Sequence, residues 1–138
     1  MNLPKEFTCG YFDCSEFANL AYSPKRTVTK FEIEYYLADG YDTMADERTF
    51  RIRKDHIQIA KPGQIRYTKL PFTTLYLKFS ADGSLYDRIM SAPEYFQCLH
   101  TQETKKLLKE IILLNESVSQ DDFLLYSKFL ALIHLILE

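Results

Sequence analysis

The chain has no tryptophan, only three histidines and three cysteines, and a net charge of −2. Each shortage excludes something. A charge so near zero excludes a global basic field, so these residues carry no electrostatic footprint for nucleic acid. Cys9, Cys14 and Cys98 are odd in number, and Cys9 and Cys14 do not have a usual metal or redox spacing. No apolar stretch follows Met1, Asn2, Leu3, Pro4 and Lys5, so no secretory leader is read and the thiols are expected to stay reduced in a cytoplasmic protein. There the Asn115-Glu116-Ser117 sequon carries no meaning. No window of about eighteen residues is apolar and free of charge, which excludes a helical membrane span. Internal repeats and low-complexity tracts are also missing.

What is present is a chain of 138 residues, 46% hydrophobic and 26% charged. That length suits one ordinary domain, and that balance excludes a disordered or collagen-like chain. With 10 Tyr and 10 Phe it is rich in aromatic rings.

The first hundred residues carry a period of two. In 29–37, Phe31, Ile33, Tyr35 and Leu37 fall on one face and Lys30, Glu32, Glu34 and Tyr36 on the other. Phe50 and Ile52 alternate in 49–53, Ile57 and Ile59 in 56–60, and Leu75, Leu77 and Phe79 in 72–79. Asp39-Gly40, Lys61-Pro62-Gly63 and Ala81-Asp82-Gly83 supply the breaks. Short strands between turns at this spacing predict a sandwich or barrel over roughly residues 7–80. In each strand the apolar face is expected to point inward. That puts Ile33 and Tyr35 inside and turns Tyr76 outward. A short helical turn is expected over 85–90, closed by Pro93.

From Thr101 the period changes to 3.6. Leu107, Leu108, Ile111, Ile112 and Leu114 form a stripe opposite Lys105, Lys106, Lys109 and Glu110. Helices are expected over 101–115, capped by Thr101, and over 119–137, capped by Ser119. The second is apolar almost all round. Leu125, Phe129, Leu132, Ile133 and Ile136 are therefore expected to form a homodimer interface, since one barrel cannot cover every side of such a helix.

One ordered set of features resembles the N-terminal domain of AraC-type (AraC/XylS) bacterial transcription regulators. A strand ending at Gly40 is followed by Asp55-His56-Ile57-Gln58-Ile59-Ala60-Lys61-Pro62-Gly63-Gln64-Ile65-Arg66-Tyr67, then Leu70-Pro71-Phe72 and a strand ending Leu75-Tyr76-Leu77-Lys78-Phe79. In that family a Gly-Asp-led strand, a Pro-Gly-x-x-His turn and an aromatic-rich strand take this order, with two helices after them. The resemblance implies a mainly β fold with C-terminal helices. A cupin-like double-stranded β-helix, or jelly-roll barrel, would occupy residues 1–100 and a two-helix dimerisation region residues 101–138. It implies a small effector inside the barrel, homodimer formation through the helices, and DNA contact only through a helix-turn-helix domain that these residues do not contain.

The chain departs from the pattern at several points. Asp55 stands where the family has Gly, His56 where it has Asp, and Arg66 where it has the His of the Pro-Gly turn. Ile33 stands where enzymatic cupins carry a metal-ligating Glu, and Thr27-Val28-Thr29 offers no imidazole. The metal site of such cupins needs three imidazoles and a carboxylate, so no metal or cofactor and no enzymatic activity is expected.

Arg66, if it points inward, must be paired or must await an anion, for which its fork suits a carboxylate or phosphate. Tyr35 and Tyr67 could supply an aromatic wall for a sugar, with Ile33 beside them. The expected ligand-binding residues are therefore Arg66, Tyr35, Tyr67 and Ile33, and the expected effector a sugar or an anionic metabolite. The alternatives are a stand-alone non-metal cupin, binding sugar or acting as a small enzyme, and a dimerisation module whose barrel is filled by side chains.

Overall fold

The computed structural model describes residues 3–14, 19–117 and 122–137. Among them are nine strands and three helices: β1 (Lys5–Phe12), β2 (Arg26–Thr27), β3 (Phe31–Tyr36), β4 (Asp42–Ala45), β5 (Arg48–Arg51), β6 (His56–Ala60), β7 (Ile65–Thr68), β8 (Thr74–Ser80), α1 (Gly83–Met90), β9 (Tyr95–Gln97), α2 (Thr101–Glu116) and α3 (Asp122–Leu137). The strands form two antiparallel sheets, in the orders β1-β8-β3-β6-β9 and β2-β7-β4-β5. Neither sheet closes on itself, and the jelly-roll arrangement goes beyond what these two open sheets establish. The mainly β chain with C-terminal helices is what is seen.

Turn chemistry explains the connections. Pro62 and Gly63 take the two central positions of the β6–β7 turn, with Gly63 at φ +95° and the Gln64 amide donating to Lys61 O. Asp46, at φ +54°, opens the β4–β5 hairpin, and its carboxylate accepts from the Ile65 amide at 2.9 Å. Asp55 enters β6 at φ +64°, in the left-handed region where Asp is tolerated better than most residues.

The alternation read in β3 is correct, but its faces are exchanged. All six of its residues are buried. Phe31, Ile33 and Tyr35 join Ile57, Ile59, Leu75, Leu77 and Phe79 in a core that packs against the helices. Glu32, Glu34 and Tyr36 point the other way and bond to side chains of β6 and of the four-stranded sheet. The layers are thus helices, apolar core, five-stranded sheet, polar interior and four-stranded sheet.

The helices follow the change of period. α2 begins at Thr101, with His100 rather than Thr101 at the cap position and no side-chain cap bond; Ser119, the expected cap of the second helix, lies outside the described residues. In α3, Leu125, Phe129, Leu132 and Ile133 are all buried within the chain's own core. Phe129 sits edge-on to Phe79 at 4.8 Å and to Phe7 at 5.6 Å. These four residues were expected to face a second subunit. Spaced one and two turns apart on one stripe, they bury instead in the core shared by the helices and the five-stranded sheet, each burial being worth about 1.5–3 kcal/mol. Ile136 packs at the edge of the same core, half-buried. The large apolar residues that α3 leaves exposed are Phe123 and Leu124 at its start.

Candidate ligand-binding site

The polar interior is organised around one guanidinium. Arg66 lies on β7 directly opposite Arg26 of β2. Two like charges in that register repel, and Glu32 of β3 answers both. Its carboxylate receives Arg26 as a fork, at 2.6 and 2.7 Å, and Arg66 Nη1 at 3.0 Å. Arg66 Nη1 also donates to Glu34 Oε1, and its Nη2 lies 3.3 Å from Gln58 Oε1. Arg66, Glu32, Glu34 and Gln58 are all buried. Burial works against the Arg66 charge, but Glu34, Tyr36 and Glu32 outweigh it and hold its pKa above the ordinary arginine value. Burial likewise pushes Glu32 up, and the hydrogen bonds and charge of Arg26, with Arg66 and Lys78, bring it below its ordinary value.

Beside this cluster Gln58 Oε1 accepts from Tyr36 Oη at 2.6 Å and from Thr43 Oγ1 at 3.0 Å. A hydroxyl has one proton, so Thr68 is then the donor in its 3.0 Å contact with Thr43. Burial and the nearby Glu34 push the Tyr36 phenol above its ordinary value, which keeps it protonated and able to donate.

A cavity of about 270 Å³ opens from this interior, with Arg66, Glu34, Thr74, Tyr76 and Lys78 in its wall. The wall is built by register. On β8, Thr74, Tyr76 and Lys78 share a face, and their partners on β3 are Tyr36, Glu34 and Glu32. On β1, Gly10 pairs with Tyr76; a Cβ there would come within 3.0 Å of Tyr76 Oη, so the glycine lets the ring lie across the strand. Phe12 stacks on Phe72 at 4.7 Å as an aromatic edge. Thr74 Oγ1 is buried and has no hydrogen-bond partner.

Of the residues expected to bind a ligand, Arg66 and Tyr67 line the cavity. Ile33 and Tyr35 do not: they belong to the helix-side core, where Tyr35 Oη donates to Asp55 Oδ1 at 2.5 Å. Reading the apolar face as the inward one put them in the wrong layer. For the same reason Glu32, Glu34, Thr74 and Lys78 were missed, and Tyr76, weighed with Tyr35 and Tyr67 as an aromatic wall, was set aside as outward-facing although it lines the cavity. A signal was available, because two apolar helices need an apolar sheet face to cover them, which leaves the polar face for the space between the sheets.

No protein-family model matches this chain, and no curated protein is significantly similar to it. Among the described residues no group of three or more His, Cys, Asp and Glu is placed to hold a metal ion, and no helix is long and apolar enough to cross a membrane. His56 stacks on Tyr95 at 5.3 Å, away from the cavity wall.

Proposed function

We propose that the chain is a small-molecule sensing domain, and that the cavity between the sheets is its effector site. The observation that carries the reading is Thr74 Oγ1, a buried hydroxyl without a partner in the wall of a cavity rimmed by aromatic rings. Buried polar groups are ordinarily satisfied. A roomy cavity with a mostly apolar, partly aromatic wall, a few charged groups and an unmet hydroxyl suits a hydroxylated ligand, and its size suits a small one. The remaining polar groups of the interior are largely bonded to one another, an arrangement that binds and orients rather than one that attacks a substrate.

The resemblance to AraC-type regulators supplies the wider context. In this reading the two sheets are a cupin-like jelly roll that has not closed, and effector binding is coupled to the packing of α2 and α3. Asp55 favours it: its left-handed backbone meets the same demand as the glycine the family carries there. The proposed regulator is a homodimer, and its DNA-reading part is carried by residues other than these. The test is a thermal-shift screen of the purified chain against a library of small polar metabolites. A hit should raise the melting temperature in the wild type and lose most of that effect in Thr74→Val, since ligand binding stabilises in proportion to RT ln(1 + [L]/Kd). A library without a hit at millimolar concentration would refute the reading.

A further inference from the structure

We infer that the cavity takes a small hydroxycarboxylate: a single carboxylate on a skeleton bearing hydroxyls, the sugar acids among them. The inference deepens the sensing reading and rests on it. It comes from asking which charges in the cavity are already matched. Arg26 and Arg66 are two positive charges, Glu32 and Glu34 two negative ones, and hydrogen bonds join all four. Lys78 is the fifth. Its ammonium lies 4.0 Å from Glu32 Oε2, beyond hydrogen-bond reach, and Arg26 already holds that oxygen at 2.6 Å. Its other neighbour is the Tyr76 ring, 5.7 Å from the centroid. The wall therefore carries one surplus positive charge whose donors have no acceptor among the described residues.

The deeper end of the same wall asks for hydroxyls. Thr74 Oγ1 is buried and unpartnered. Glu34 is held by Arg66 through Oε1 alone, and no described donor meets its Oε2. A hydroxyl both donates and accepts, so it can satisfy either group, whereas a methyl could satisfy neither. Thr74, Tyr76 and Lys78 follow one another on one face of β8, about 6.6–6.8 Å apart per step. The aromatic ring of Tyr76 thus separates the acid-binding end from the hydroxyl-binding end. A ligand with two acid groups would set its second charge against Glu34. An amine would add a cation to a wall that already has one too many.

The experiment compares three probes of one ring size, D-glucuronate, D-glucose and D-glucosamine, with D-galacturonate, D-galactose and D-galactosamine as the second set, by calorimetry on the wild-type chain and on Lys78→Gln. Lys78 is half-exposed, so its replacement leaves the fold intact. In at least one set the acid should bind ten-fold or more tightly than the neutral sugar, and weaken as salt is raised. The preference should fall to two-fold or less in Lys78→Gln. Equal affinity for acid and neutral sugar, preference for the amine, or an acid preference that survives Lys78→Gln would overturn the inference while leaving the sensing reading intact. Binding by no probe of either set would overturn it too, and the library screen then decides separately whether the sensing reading falls with it.

Discussion

Arg66 and Glu34 join the two sheets: a guanidinium from β7 donates to a carboxylate from β3, both side chains buried. Such a pair is weak evidence of net stability, because desolvating both charges offsets their attraction. Its asymmetry is the informative part. Arg66→Met should destabilise the fold by about 3–5 kcal/mol, because it strands the buried Glu34 without its donor and leaves Glu32 to Arg26 alone. Adding Glu32→Gln and Glu34→Gln to that variant should return most of the loss. Urea denaturation of the single and triple variants measures both, and a triple variant no better than the single one would contradict the account.

The same cluster sets an acid limit. Glu32 is buried, which alone would raise it, but Arg26, Arg66 and Lys78 hold its carboxyl below the ordinary value of 4.5. A carboxyl depressed in the folded state contributes stability that is fully present above its unfolded pKa and is lost as pH falls through the folded one. Stability should therefore fall as the pH drops below about 4.5, and the slope there should be shallower in Glu32→Gln, whose side chain does not titrate. A parallel slope in the variant would assign the acid sensitivity to other groups.

The periods of β3, β5, β6 and β8 were legible in the sequence, and so were the β6–β7 turn and the two C-terminal helices. Which face of a strand looks where was not. Period two says that Ile33 and Glu34 oppose each other, and nothing in a single strand says which of the two layers beside it holds the helices. The cavity was hidden for that reason: its wall is the charged face of β3 and the Thr74-Tyr76-Lys78 face of β8, both read as solvent-facing. β9 escaped notice because Tyr95–Gln97 is three residues long and pairs only with β6.

The helices carry a prediction that separates folding from association. Leu132 is fully buried in the chain's own core, so Leu132→Glu should abolish folding rather than split a dimer, since a carboxylate there has no partner. Phe129→Ala should cost about 3–5 kcal/mol of stability at any protein concentration. If α3 mediates a homodimer, its contact must begin from Phe123, 91% exposed, and Leu124. Phe123→Glu should then leave the melting temperature of a dilute sample within a degree or two while shifting sedimentation from dimer to monomer. A wild-type chain that sediments as a monomer at tens of micromolar would remove the helix-mediated dimer.

Asp55 answers two demands at once, and its variants can be ranked from them. Its backbone, at φ +64°, is in the left-handed region, which costs a residue with an ordinary Cβ roughly 1–2 kcal/mol. Its carboxylate accepts the hydroxyl of the fully buried Tyr35 at 2.5 Å, and leaving a buried donor unmet costs about 1–3 kcal/mol. Asp55→Asn keeps the backbone tolerance and an acceptor, so it should be the mildest change. Asp55→Gly suits the backbone but strands Tyr35, and should lose about 1–3 kcal/mol. Asp55→Ala meets neither demand and should be the worst of the three. The two contributions can be separated by adding Tyr35→Phe, which removes the stranded donor. Against that background the Gly variant should approach the Tyr35→Phe parent, while the Ala variant should still fall short by the backbone cost. Chemical denaturation of these six variants beside the wild-type chain reads the ranking directly. An Ala variant as stable as the Gly variant in the Tyr35→Phe background would mean that the left-handed backbone at position 55 imposes no cost.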